Sequence, residues 1–208
     1  PLYLGLGLLA TGISLAYTET IQFAQRVFQG QVTGLNWMGQ ISPLLKPAIG
    51  GICVGVVALQ FPQVLGIGYE TIEAMLRDAD LSLPLLLVKL LMTAVSLGSG
   101  LVGGLFAPAM FLGASLGTAY GKFLTSVLHL FPESIAAPPA YARVGMAAVL
   151  AASARAPLTA ILLLFELTRD YRIILPLMAA VGLSAWLMER LKPIARSAPV
   201  LQSTGLTM

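Results

Sequence analysis

The residues Gly103-Gly104-Leu105-Phe106-Ala107-Pro108 carry no charged side chain, yet their types and order can bind an anion. Read as a loop running into a helix, the glycines permit sharp turns and close backbone approach. Pro108 suits the first helical turn, where its missing N–H would have had no intrahelical partner. The N–H groups of Leu105, Phe106 and Ala107 are then free. Free amides at the positive end of a helix dipole hold an anion without any formal positive charge. A lysine in that place would hold a small anion too tightly to release it, whereas amide dipoles bind and let go. Gly113, Gly117 and Gly121 have a plainer reading, because their four-residue spacing is common where membrane helices pack closely.

The elements that must position this loop follow from composition. The 208 residues are 57% hydrophobic and 10% charged, with a mean hydropathy of +0.87, far from an ordinary soluble domain. Uncharged runs lie between Lys89 and Lys122, between Lys46 and Glu70, before Glu19 and after Arg172. Each is near or above the roughly 18 to 20 apolar residues that cross a bilayer, so several in one chain predict a polytopic all-α bundle. The net charge of +3 is scattered and forms no basic cluster, which argues against a nucleic-acid partner. No nucleophile, base and orienter can be picked out, and no cluster has metal-ligand spacing, so an enzyme is disfavoured and neither catalytic residue nor metal ligand is assigned. The single Cys53, in GGICVGVVALQ, excludes an internal disulfide and reads as packing. His129 reads as solvated or capping. Pro1 opens directly in membrane-like sequence without the features of a signal peptide, so the chain is expected to be cut from something longer.

Along the chain, a long helix is predicted from about Leu2 to Phe28, followed by the polar interval QGQVTGLNWMGQIS. Pro43 and Pro47 bracket the start of a second apolar segment that Phe61-Pro62 stops. A short amphipathic helix in LGIGYETIEAMLRDAD would group Ile72, Met75 and Leu76. Helices are predicted at about 83–97 and 107–128, closed by HLFPESIAAPP, and then two short pieces at 140–151 and 157–168, separated by AASARAP. A longer helix, 173–190, ends at ERLKP, and residues 197–208 read as a polar tail leaving a membrane domain of residues 1–196. A dozen apolar residues at about 1.5 Å rise cannot span roughly 30 Å of hydrocarbon. Such interrupted helices point to an ion or substrate site.

The stretch GSGLVGGLFAPAMFLGASLG resembles the Gly-x-Phe-x-Pro signature of the CLC family of chloride channels and proton-coupled chloride transporters, with Gly104, Phe106 and Pro108 at the motif positions. AASARAPLTAILLLFELTRDYRIILPLM is similar to that family's Arg-Ala-Pro-Leu-Thr segment and its following helix. GIGYETI occupies the place of a glycine-rich segment, although Ile67 interrupts it.

The resemblance implies an all-α homodimer of broken and re-entrant helices, each subunit built as an inverted repeat with its own anion pathway. This chain would cover the last helix of the first half and the whole second half. The N-terminal half of the same membrane domain would be its partner, together with lipid and a second copy. By similarity, the amides of Leu105 and Phe106 coordinate the central anion, with Gly104 and Ala107 beside them and Gly103 and Pro108 supporting the turn. Chloride would be the transported ion, with no cofactor, and proton exchange is the leading expectation, in a bacterial plasma membrane. A passive channel is the alternative; a membrane assembly module without its own pathway is the third. The serine and glutamate segments that separate these would lie upstream of Pro1. The family's inner-gate tyrosine falls at or beside Ala195 and Ile194 in KPIARSAPV, where no tyrosine stands, so that anion contact is expected to be missing. Dimer contacts would involve the helices at 2–28, 157–168 and 173–190. Glu166 is read as structurally paired, with Arg155, Arg169 or Arg172 as partners, and Arg155 as a loop-fixing donor.

Overall fold

A computed structural model describes residues 2–32, 40–42, 44–66, 83–101, 103–127, 138–169 and 171–193. Among the described residues the chain is helical, with seven α-helices and two short 3-10 turns: α1 Leu2–Phe28, α2 Lys46–Ala58, α3 Leu83–Ser99, α4 Phe106–Val127, α5 Pro138–Ala154, α6 Pro157–Thr168 and α7 Ile174–Leu191. Their limits lie within a few residues of those predicted. The amphipathic helix expected around Ile72, Met75 and Leu76, the loop holding His129 and the polar tail all lie outside the described residues.

Local chemistry explains where the helices stop. α1 and α3 both end on a glycine in the left-handed region, Gly30 at φ 73° and Gly100 at φ 90°. After each, two backbone N–H groups close back on the last turn: Gln31 on Arg26 and Gly30 on Val27, then Leu101 on Ser96 and Gly100 on Leu97. This pattern satisfies carbonyls that the helix end would otherwise leave open. α2 starts with Pro47 in its first turn and gives way to the 3-10 turn Pro62–Val64.

The core is built around α5. Residues Tyr141, Ala142 and Val144 to Ala152 are all buried, enclosed by α4, α7, α1 and α6. α4 lies against it almost backbone to backbone. A methyl group at Gly117 would sit 2.6 Å from the Cα of Ala142, and one at Gly113 would sit 2.6 Å from the Cα of Met146. Gly145 answers from α5 against Gly113. The packing role read for Gly113 and Gly117 is therefore the observed one, and Gly121 approaches Pro138 in the same way. Two buried serines stitch the outer helices to α5: Ser14 of α1 donates to the Val149 carbonyl and Ser184 of α7 to the Ala148 carbonyl, each at 3.0 Å. Among the described residues no buried side-chain nitrogen or oxygen lacks a partner.

α1, with 27 residues, and the stretch Tyr171–Leu191, with 21, are long and apolar enough to cross a membrane. The other long uncharged runs do not form single spans. The run from Lys46 yields the 13-residue α2, about 20 Å long at the usual rise, because Pro62 interrupts it. The run from Lys89 to Lys122 is divided between α3 and α4 by the turn at Gly100. Cys53 is exposed on α2 rather than packed, because α2 buries only Gly50 and Ala58.

The close approach of α4 and α5 is testable. Gly117→Ala forces a methyl into the α5 backbone and is expected to cost about 1–3 kcal/mol, whereas Gly55→Ala, with nothing within 4 Å, should be neutral or stabilising. Thermal unfolding midpoints of the two purified variants check this; equal midpoints would contradict the packing account.

Candidate functional site

The loop between α3 and α4 runs from Gly100 to Leu105, and α4 begins at Phe106. The first backbone bond that closes on the loop is Ala109 N–H to the Leu105 carbonyl, at 3.3 Å. Pro108 has no N–H. Helical geometry therefore leaves the N–H groups of Phe106 and Ala107 without intrahelical acceptors, and Leu105, as the residue before the helix, likewise. Leu105 and Phe106 are half exposed, at 44% and 49%.

Two cavities meet at this loop. One of about 380 Å³ is lined by residues that include Val64, Gly66, Lys89, Ser96, Gly103 and Gly104. The other, of about 440 Å³, is bordered by Gly66, Gly104, Phe106, Ala107, Met110 and Leu163. Among the described residues no carboxylate lines either cavity, and Lys89 is their only charged side chain. The residues selected from sequence, Gly103, Gly104, Phe106, Ala107 and Pro108, are thus brought to the cavity walls, with Leu105 between Gly104 and Phe106. The inner-gate positions Ile194 and Ala195 lie outside the described residues.

The glycines around the loop divide the work. Neither Gly103 nor Gly104 has a positive φ. A methyl on Gly104 would meet nothing within 4 Å, and one on Gly103 only Leu97 at 3.5 Å. A left-handed turn is made by Gly100, and Gly98 lets α3 pack on α1, where a methyl would lie 2.8 Å from the Cβ of Ala24. The Schellman-type ending of α3 completes the reversal before the loop reaches Gly103.

Two contributors were not selected from sequence. Lys89, 3% exposed, donates from Nζ to the carbonyls of Val64 at 3.0 Å and Gly66 at 2.9 Å, and stands 5.7 Å from the centre of the Phe111 ring. It ties α3 to the turn at 64–66 and to α4, and is among the residues that line the first cavity. A lone cation inside the apolar run LPLLLVKLLMTAV was the available signal, since an ionisable group at membrane depth needs a reason to be there. The second is Tyr17, 1% exposed, whose hydroxyl donates to the Leu105 carbonyl at 3.1 Å. A tyrosine in an apolar helix needs a partner for its hydroxyl, but only the tertiary structure says which.

The other charged residues mostly fix corners. Arg155, at φ 54°, donates from Nη2 to the Lys192 carbonyl at 2.7 Å, as a loop-fixing donor does. Lys192 in turn reaches Glu19 at 2.7 Å and Gln22 at 3.0 Å on α1, setting where the chain leaves α7. Glu166 is exposed and makes no ion pair among the described residues, contrary to the pairing expected. Arg155 is engaged with Lys192, and Arg169 has left the helix in a left-handed conformation at φ 48°, off the spacing that would bring it beside Glu166.

Fold and site together define an all-α membrane bundle in which a helix break borders two cavities. The chain belongs to the voltage gated chloride channel family, whose model matches residues 1–189, a family of integral membrane proteins. It is 43% identical over 201 residues to chloride channel protein CLC-e of Arabidopsis thaliana, covering 90% of this chain and 28% of that protein. It is 39% identical over 197 residues to chloride channel protein CLC-f of the same plant, covering 89% and 25%. It is 36% identical over 179 residues to the H(+)/Cl(-) exchange transporter ClcA of Klebsiella pneumoniae, covering 85% and 36%. The chain thus spans between 25% and 36% of the length of these curated relatives.

Lys89→Met leaves the Val64 and Gly66 carbonyls without their donor and is expected to destabilise the protein by about 1–3 kcal/mol. Lys89→Arg, which keeps donors in reach, should recover most of that. Denaturation midpoints in detergent measure both, and an unshifted Lys89→Met midpoint would remove this role from Lys89.

Proposed function

We propose that this chain carries part of a chloride transport pathway across a bilayer, with the anion held by the amides of Leu105 and Phe106 and with Gly104 and Ala107 shaping the same site. The observation that carries this reading is the set of N–H groups at the start of α4 that have no intrahelical acceptor. They stand beside cavities that no carboxylate lines among the described residues, at the positive end of a 22-residue helix. Hydrogen bonds to a charged partner are worth about 1.5–3 kcal/mol each, enough for micromolar-to-millimolar binding from a few donors and weak enough to permit release.

Coupling to protons is the finer proposal. It is supported by similarity to a protein named as an H(+)/Cl(-) exchange transporter. A passive channel is the second reading, favoured by the absence of tyrosine from KPIARSAPV and by similarity to proteins named as channels. In either case the pathway would be completed by a preceding half of the membrane domain. A second copy would cover the outward leucines of α6 and α7, of which Leu158 is 75% and Leu175 79% exposed.

Phe106→Pro tests the amide. Proline is favoured at a first helical position, and the preceding Leu105 is non-helical, as a residue before proline prefers. The substitution therefore deletes one N–H while keeping the helix. Phe106→Leu controls for the lost ring. In the whole polypeptide, with any sequence flanking residues 1–208, Phe106→Pro is expected to weaken chloride binding about tenfold or more relative to Phe106→Leu, read by calorimetry. Equal affinities would dismiss the amide site. Liposomes with a chloride gradient and no proton gradient decide the coupling: uphill proton movement supports exchange, and chloride flux without protons supports the channel.

A further inference from the structure

We infer that Tyr17 is a positioning residue for anion binding: its hydroxyl, by holding the Leu105 carbonyl, aims the Phe106 N–H at the cavity. The inference rests on the reading of the Leu105 and Phe106 amides as the anion site and assigns the group that orients one of them.

The peptide bond supplies the linkage. The Leu105 carbonyl and the Phe106 N–H belong to one planar trans peptide unit, in which C=O and N–H point in opposite directions. Whatever fixes the carbonyl fixes the amide. That carbonyl accepts two hydrogen bonds, one from Tyr17 Oη at 3.1 Å and one from the Ala109 N–H at 3.3 Å. The helical bond is long by the usual standard of 2.7–3.2 Å, so the side-chain contact is the shorter of the two. It comes from a residue that has no room to move: Tyr17 is 1% exposed and lies in the main core cluster, on a helix that also packs against α3, α5 and α7. The effect is threefold. The peptide plane is kept from turning and presenting its oxygen, which would repel an anion, toward the cavity. The Phe106 N–H is polarised, since a carbonyl that accepts hydrogen bonds makes its own peptide N–H a better donor. The cost of ordering the loop is met before the anion arrives. A tyrosine that merely needed an acceptor could use many carbonyls; this one uses the carbonyl of the peptide that carries the proposed ligand.

The test is a double-mutant cycle on chloride affinity, measured by calorimetry on the whole polypeptide with its flanking sequence, with thermal unfolding of every variant. Tyr17→Phe keeps the ring and removes only the hydroxyl. It is expected to weaken chloride binding about fivefold, the effect of one ordinary hydrogen bond. On the Phe106→Pro background, where the amide proton is already gone, Tyr17→Phe is expected to have no further effect, a non-additivity that general loosening of the core would not produce. Fluorinated tyrosine at position 17, similar in shape but a stronger donor, is expected to tighten chloride, and it serves if Tyr17→Phe does not fold. The inference is overturned if Tyr17→Phe binds chloride like the parent while Phe106→Pro does not, or if the two effects simply add. If Phe106→Pro binds like Phe106→Leu, the amide site itself is wrong and the role of Tyr17 goes with it.

Discussion

A backbone that leaves the helix at membrane depth must be buried in protein or line an aqueous space, because hydrocarbon offers nothing to its N–H and C=O groups. The break between α3 and α4 is where this constraint is felt most. On the α3 side it is met internally, by the left-handed Gly100 and the bonds that return to Ser96 and Leu97. On the α4 side the carbonyl of Leu105 is met by Tyr17 and Ala109, while the first N–H groups of α4 lack intrahelical acceptors and Phe106 and Ala107 border a cavity. The asymmetry is what matters chemically. The carbonyls of Ser96, Leu97 and Leu105 are engaged while the first N–H groups of α4 have no intrahelical acceptor, which is the imbalance on which the proposed anion site rests.

Holding such a break still requires rigid walls on both sides, and small residues supply them. α4 is laid on α5 through Gly113, Gly117 and Gly145, close enough that dispersion contact between backbones takes over the work that water exclusion does in soluble proteins. α5 is in turn stitched to α1 and α7 by the hydroxyls of Ser14 and Ser184. α1 then reaches the loop through Tyr17, so the start of α4 is braced by the same core that holds the bundle together. Lys89 does the equivalent for the turn at 64–66, which borders both cavities.

The helices and most of their ends were legible in the sequence because the signals are local. Pro47, Pro62 and Pro157 start or stop segments by covalent geometry, and Gly-spaced faces mark packing whatever lies opposite. The candidate anion loop was legible for the same reason: which N–H groups a helix start leaves open depends on the position of Pro108 and on little else. Where the reading misassigned a role, the missing information was spatial. Cys53 is expected to pack, but α2 has too narrow a buried face, and Glu166 is expected to pair with an arginine, but Arg155 is engaged with the Lys192 carbonyl and Arg169 turns away in a left-handed conformation.

An all-α bundle of long and interrupted apolar helices, the place of the break, and an uncharged loop across it are all readable from the residues alone. These follow from hydropathy and from backbone rules that act within a few residues. The packing of the bundle adds that Tyr17, far away in the chain, holds the Leu105 carbonyl, that Lys89 is among the residues lining the cavity at the loop, and that Arg155 and Lys192 lock the end of α7 to α1. The physical reason is that a hydrogen bond across the bundle depends on which faces of two helices meet and at what height. Neither quantity is written in the residues near either partner.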